Sequence, residues 1–202
     1  MAYPTVSAPY GLKPINRVDG IPYAGAIRQI PVDIGFGTAI FNGDTVVINA
    51  NGCVIKSTTT NSGDIVGVCV GGQYVNSSGQ QVQGQYIPAL ASTSSNYAYA
   101  YVVDDPMALF QVAVVTSGTT MGTASRSAVG TNVPLVLNAG STTTGDSAFG
   151  VTLTGAGTTA TIPLRVIDVV PDTSVVVSGT TYYYELLVKI NTHQYNNTTG
   201  VS

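Results

Sequence analysis

YAYAYVVDDPMALFQVAVV, Tyr97 to Val115, is the stretch that decides the fold. From Tyr97 to Val103 the residues repeat with a period of two, which places Tyr97, Tyr99 and Tyr101 on one face of an extended strand. Asp104-Asp105-Pro106 ends that strand. Proline has no N–H to give to a ladder, and aspartate side chains accept hydrogen bonds from nearby backbone N–H groups. Leu109 to Val115 then resumes as a second apolar strand. The unit is strand, turn, strand, and the rest of the chain repeats that grammar.

Upstream, Ala39-Ile40-Phe41 leads into the turn Asn42-Gly43-Asp44. The runs Thr45 to Asn49 and Cys53 to Ser57 flank Asn49-Ala50-Asn51-Gly52, a hairpin signal because Asn and Gly tolerate positive φ. Asp64 to Val70 is another strand, and Gln73 to Val75 with Gln80 to Pro88 reads as a hairpin around Asn76-Ser77-Ser78-Gly79. Downstream, a single helical turn is expected near Ser125 to Val129. Strands are expected at Val133 to Leu137, Ala148 to Leu153, Thr159 to Val170, Ser174 to Val177 and Tyr182 to Ile190. Composition agrees: 28 Val and 26 Thr stand against 9 Leu, with only four Glu and Lys together. β-Branched residues suit a pleated surface, and a helical protein would use Lys and Glu more freely. The expected class is all-β: a small antiparallel β-barrel over residues 31–92, then a second β-barrel or sandwich over 93–190. Residues 1–30, with Pro4, Pro9, Pro14 and Pro22, are expected to form an extended N-terminal arm, and 191–202 a polar tail.

Charge narrows the function. Lys and Arg number 7 and Asp and Glu 10, so charged residues are 8% of the chain against about 25% in an average globular protein. A net charge of −3 argues against a general nucleic-acid grip, which needs clustered Lys and Arg. A surface so poor in charge is expected to be covered by partners. Lys13, Arg17 and Arg28 are opposed in the leader only by Asp19. This suggests docking onto an acidic protein surface, the alternative being an ordinary solvated terminus.

The opening MAYPTVSAPYG has no basic region followed by an apolar run, so a protein that is not exported is expected, with Cys53 and Cys69 as free thiols in strand cores. Two cysteines and one distant histidine cannot supply a four-ligand zinc site, and no metal or cofactor is expected. No stretch of about 20 apolar residues predicts a membrane span.

Candidate chemistry is sparse. Asp104 and Asp105 could act as a carboxylate pair on a sugar, but adjacent strand residues point to opposite faces, and a turn is the simpler reading. His193 lacks an advertised nucleophile and is expected to be a buried or interfacial hydrogen-bonding residue. Gly35-Phe36-Gly37 and Gly155-Ala156-Gly157 lack the spacing of a phosphate loop. Tyr97, Tyr99 and Tyr101, and separately Tyr182, Tyr183 and Tyr184, are read chiefly as core or subunit-interface residues, with a sugar-stacking platform as the alternative. No enzymatic activity is expected.

Several pieces resemble a known family. Tyr10 to Pro14 (YGLKP), Gly20 to Gly25 (GIPYAG), the apolar–Gly–Asp hairpin from Phe41 to Val46, Asp104 to Pro106, and the closing Val188 to Val201 are similar to motifs of capsid decoration (cement) proteins of tailed bacteriophages, of the type found in phages of aquatic and cyanobacterial hosts. The resemblance implies an all-β virion protein, assembled in the host cytoplasm and bound to the capsid exterior. Its partner would be the major capsid protein, and it would commonly form trimers. On that footing the leader is expected to be a capsid-binding arm with contacts at Tyr10, Leu12, Arg17, Tyr23 and Arg28, and Tyr97, Tyr99, Tyr101 and Tyr183 are expected as oligomer-interface or surface aromatics. A carbohydrate-binding or adhesive virion module, on tail, fibre or head, is the alternative.

Overall fold

The computed structural model describes residues 6–21, 25–33, 35, 37–58, 60, 64–90 and 97–196. It is all-β. Among the described residues the only helical pieces are single 3-10 turns, one of which, Arg126–Ala128, falls where a helical turn is expected.

Two antiparallel sheets carry the architecture. The five-stranded sheet is ordered Lys13–Arg17, Ala108–Ala113, Glu185–Ile190, Leu164–Val169, Asn132–Val133. The six-stranded sheet is ordered Arg28–Pro31, Ala98–Val103, Gly67–Val75, Thr45–Ile48, Val54–Lys56, with Gln81–Gly84 also paired to Gly67–Val75. Neither closes into the barrel expected from strand spacing. The rims Lys13–Arg17 and Asn132–Val133 of the five-stranded sheet do not pair with each other. Those of the six-stranded sheet touch only just beyond Arg28–Pro31, through an isolated bridge from Val32 to Val54 and the Asp33 N–H donated to the Val54 carbonyl at 3.0 Å.

Each sheet buries a face in its own core, and the two cores share strands. The larger core gathers Phe110, Phe149, Leu135, Leu164, Leu186 and Ile190 from the second half of the chain, and takes Leu12, Ile65, Val68 and Val103 from the first. The smaller holds Ile30, Ile40, Val46, Ile87, Ala100 and Val102. Val68 and Cys69 therefore enter different cores from adjacent positions of one strand, as do Val103 and Val102. This explains the sequence of Tyr97–Val103. Where only one face is covered it alternates Tyr and Ala, and where the strand passes between two cores it becomes Val-Val. The alanines point inward because the space is short: a Cβ on Gly72, opposite Ala100, would lie 2.5 Å from the Ile87 side chain. The expected boundary between residues 92 and 93 lies outside the described residues; beyond it Ala98–Val103 pairs with Arg28–Pro31 and Gly67–Val75.

The leader is extended, as its prolines require, but it is woven into the body. Lys13–Arg17 pairs with Ala108–Ala113 at the rim of one sheet, and Arg28–Pro31 pairs with Ala98–Val103 at the rim of the other. Between the two halves the chain passes the turn Asn42-Gly43-Asp44: Leu12 N–H donates to the Gly43 carbonyl and Gly11 N–H to that of Phe149, both at 3.0 Å. Only glycine fits at residue 11. Its φ is +82°, and a Cβ would sit 2.7 Å from both Gly43 O and Ser147 Cβ.

Beneath this crossing lies Asp44, fully buried. Its carboxylate accepts from Ser147 Oγ at 2.6 Å and from the Phe41 N–H at 2.9 Å, and pairs with Lys56 Nζ at 2.9 Å. The Lys56 ammonium also lies over the Phe149 ring at 4.6 Å and the Phe41 ring at 5.4 Å. Burial raises the Asp44 pKa, and Lys56 and Ser147 oppose the rise.

The C-terminal segment is not a free tail up to residue 196. Ile65 N–H donates to the Thr192 carbonyl, and Gln194 N–H donates to that of Ile65. The Gln194 amide then accepts from Ile48 N–H at 2.8 Å and donates to Ile48 O at 3.1 Å, copying a peptide group at the end of Thr45–Ile48.

Leu12→Ala should cost about 2–5 kcal/mol in urea denaturation, whereas Ile15→Ala, exposed in the strand that follows, should change stability by no more than about 0.5 kcal/mol. Equal effects would contradict the docked leader. Lys56→Met should cost about 3–5 kcal/mol near neutral pH by leaving Asp44 buried without its cation. The Asp44 pKa would then climb further. A carboxyl raised in the fold favours the folded state below its unfolded pKa and loses that contribution as pH rises, so the deficit should shrink when denaturation is repeated near pH 4.

Candidate adhesive surface

The structure separates the leader residues expected to grip a partner. Leu12 is 0% exposed and belongs to the larger core, so it cannot be a surface contact. Tyr10 is half-buried, and its hydroxyl donates to the carboxylate of Glu185, which also accepts from Gln111 Nε2 at 2.8 Å. Burial and the carboxylate push the Tyr10 pKa up, so its role is that of a permanent donor inside the body. Lys13 Nζ covers the Tyr10 ring at 4.3 Å. Tyr23 lies outside the described residues. Arg17 and Arg28 remain near the surface and converge on one place.

That place is the turn after Ala98–Val103. Arg28 Nε meets Asp104 Oδ2 at 2.8 Å, and Arg17 reaches Asp105 Oδ2 at 3.3 Å and Asp19 Oδ2 at 3.1 Å. Asp105 also accepts from Met107 N–H at 2.8 Å, the capping role expected of this dipeptide. The two carboxylates thus hold different partners and do not converge on one atom. Arg17 and Arg28, read from sequence as suited to an acidic partner, pair with Asp105 and Asp104 of the body and Arg17 also with Asp19 of the leader, while Lys13 lies over Tyr10. Exposed apolar side chains stand beside these pairs: Val18, whose N–H donates to the Met107 carbonyl at 2.9 Å, then Ile21, Ile27 and Met107 themselves. Tyr195 completes the edge. Its hydroxyl donates to Asp104 at 3.1 Å, and its ring carries the Arg28 guanidinium at 5.1 Å. The surface is apolar and internally neutralised.

His193 supports this turn from beneath. It is 0% exposed, and its Nδ1 accepts from the Tyr195 N–H at 3.2 Å, in line with the buried hydrogen-bonding role expected of it. Burial pushes its pKa down, joined by Lys189 and opposed by Asp104 and Asp105.

The tyrosines divide. Tyr183 is half-buried and packs against the larger core. Tyr97, Tyr99 and Tyr101 face away from the smaller core, which takes Ala98, Ala100 and Val102 instead. Only the core half of the core-or-interface reading is corrected: the small alternating residues point inward. A second exposed apolar pair, Val176 and Val177, stands on the hairpin Ser174–Tyr183, turned by Ser178 and Gly179 with φ of 50° and 79°.

Reactive groups are held out of reach. The Cys69 thiol is buried and its pKa is pushed up to about 12, while Cys53 is only partly buried, against the core position expected for it. Ser147 donates to Asp44 and accepts from Phe149 N–H, and is 3% exposed. Sequence reasoning missed Asp44, Lys56, Glu185 and Tyr195 as organising residues. The one available signal was that Lys and Glu are so scarce here that each is expected to be placed for a reason. No helix among the described residues is long and apolar enough to cross a membrane. Comparison with protein-family models, with characterised proteins and with solved structures gives no match to this chain.

A buried histidine with a lowered pKa contributes stability that is complete above its unfolded pKa of 6.5 and is lost as pH falls through its folded value. The urea midpoint should therefore drop between about pH 7.5 and pH 5.5, and His193→Gln should flatten that limb. Parallel profiles for the two proteins would remove His193 as its origin.

Proposed function

We propose that this chain is a structural virion protein that binds the outer surface of an icosahedral phage capsid and holds neighbouring major capsid subunits together. The observation that carries this reading is the exposed apolar group Val18, Ile21, Ile27 and Met107 on a surface whose charges are paired among themselves. Pairing of these charges lowers the cost of taking them out of water, and the apolar side chains supply the favourable burial. The motifs that resemble decoration proteins add support. Tyr10 to Pro14 and Phe41 to Val46 meet at the leader crossing, and Asp104 to Pro106 forms the turn beneath the apolar group.

In this reading the whole leader does not reach out as an arm. Its ends are clamped into the two sheets, and the stretch between them presents the contact. A homo-oligomer, most simply a trimer, would bring several such contacts to one lattice position, and modest contacts multiply through effective concentration. Binding only the assembled shell stabilises that shell by mass action. The reading is of a protein without enzymatic activity.

Cosedimentation with capsids assembled without this chain tests it. The wild-type protein should bind and raise the temperature at which the capsids rupture. The Val18→Asp, Met107→Asp double variant should stay folded and bind about tenfold more weakly or worse, since charge is placed in an interface core. Capsids that neither bind nor gain stability at saturating wild-type protein would end the proposal.

A further inference from the structure

The outward face of the six-stranded sheet carries a different chemistry from the leader surface. Ladder register places Gln29 opposite Tyr101, Pro31 opposite Tyr99, Tyr99 opposite Gln73, and Gln73 opposite Gln83. Paired residues share a face, so Pro31, Tyr99, Gln73 and Gln83 form one row across four strands. Gln81, opposite Val75, and Tyr97 extend the next row. The face points away from the smaller core, since Ala98 and Ala100 alternate with these tyrosines and are buried. Gln29, Gln81, Gln83 and Tyr97 are exposed, and Tyr99, Tyr101 and Gln73 are half-buried.

The side chains are ordered by one another. Tyr101 Oη donates to Gln73 Oε1 at 3.3 Å, and Gln81 Nε2 donates to the same oxygen at 2.9 Å. The Tyr97 and Tyr99 rings meet edge to face, with centroids 6.0 Å apart. Sheet pairing fixes the strands beneath, so the array is set without a ligand.

None of these positions is charged, which decides the occupant. A polyanion would need cations, and an apolar segment would need an apolar face. Phenols and carboxamides both donate and accept, which suits hydroxyl groups, and aromatic rings suit the C–H surfaces of a sugar ring. We propose that this face binds a neutral polysaccharide. The inference stands apart from capsid binding, because it uses a different surface and could hold if the other failed.

Affinity electrophoresis through native gels containing dextran, mannan or hydroxyethyl cellulose tests it. Migration should be retarded by at least one of the three, and by dextran sulfate no more than by dextran. Tyr99→Ala and Gln73→Ala should each weaken the retardation about fivefold or more while keeping the far-UV circular dichroism of the wild type. Unretarded migration in all three gels would overturn the proposal, as would retardation that neither variant changes. Sedimentation velocity supplies the remaining outcome: a wild-type oligomer dissociated by Tyr99→Ala would assign the face to a second copy of the chain and overturn it as well.

Discussion

The halves of this protein meet at the buried carboxylate of Asp44. Asp44 sits in the turn that follows Phe41, and its partners come from both halves: Lys56 from the neighbouring strand and Ser147 from the second half. The leader crosses directly above, with Gly11 pressed against Gly43. A buried charge with satisfied partners is a weak source of net stability, because desolvation consumes most of the Coulomb gain. Its effect is specificity. Any arrangement that parted the two halves would take from Asp44 the Ser147 hydroxyl and from Lys56 the Phe149 ring, and that loss favours one docking of the halves over others.

The cores follow from that docking. Strands Gly67–Val75 and Ala98–Val103 run from a region covered on one face to a region covered on both. Leader and C-terminal segment close the assembly from opposite ends of the chain, Leu12 entering one core and His193 lodging beside Ile65. Two hydrophobic centres are thus joined by shared strands, although local patterning divides the chain in two.

Scarcity of charge is put to consistent use. Arg17, Arg28 and Lys56 each pair with aspartates of the body, and Arg126 with Asp168. Sparse charge leaves the outer surface to apolar side chains at the Asp104–Met107 turn and to phenols and amides on the six-stranded sheet. Both are surfaces suited to contact, and neither surrounds an activated nucleophile, since Ser147 and Cys69 are buried and engaged.

The amino-acid sequence by itself determined the strands, the turns and the all-β class. These depend on residues near in the chain: period-two alternation in Tyr97–Val103, Asn-Gly turns, and the proline that ends a ladder at Asp104-Asp105-Pro106. It also made His193 a buried hydrogen-bonding residue and Asp104-Asp105 a turn, because each lacked local partners for anything else. Which face of Tyr97–Val103 turns inward was decided only in three dimensions, since alternation is symmetric until a neighbour such as Gly72 or Ile87 limits the space. The fate of the leader was decided there too. Prolines require extension, but whether an extended segment reaches outward or lies along a sheet depends on edges formed by Ala108–Ala113 and Ala98–Val103, far along the chain. Barrel or open sheet was likewise beyond local reading, because closure depends on whether the two rim strands of a sheet pair with each other, and they meet only after folding.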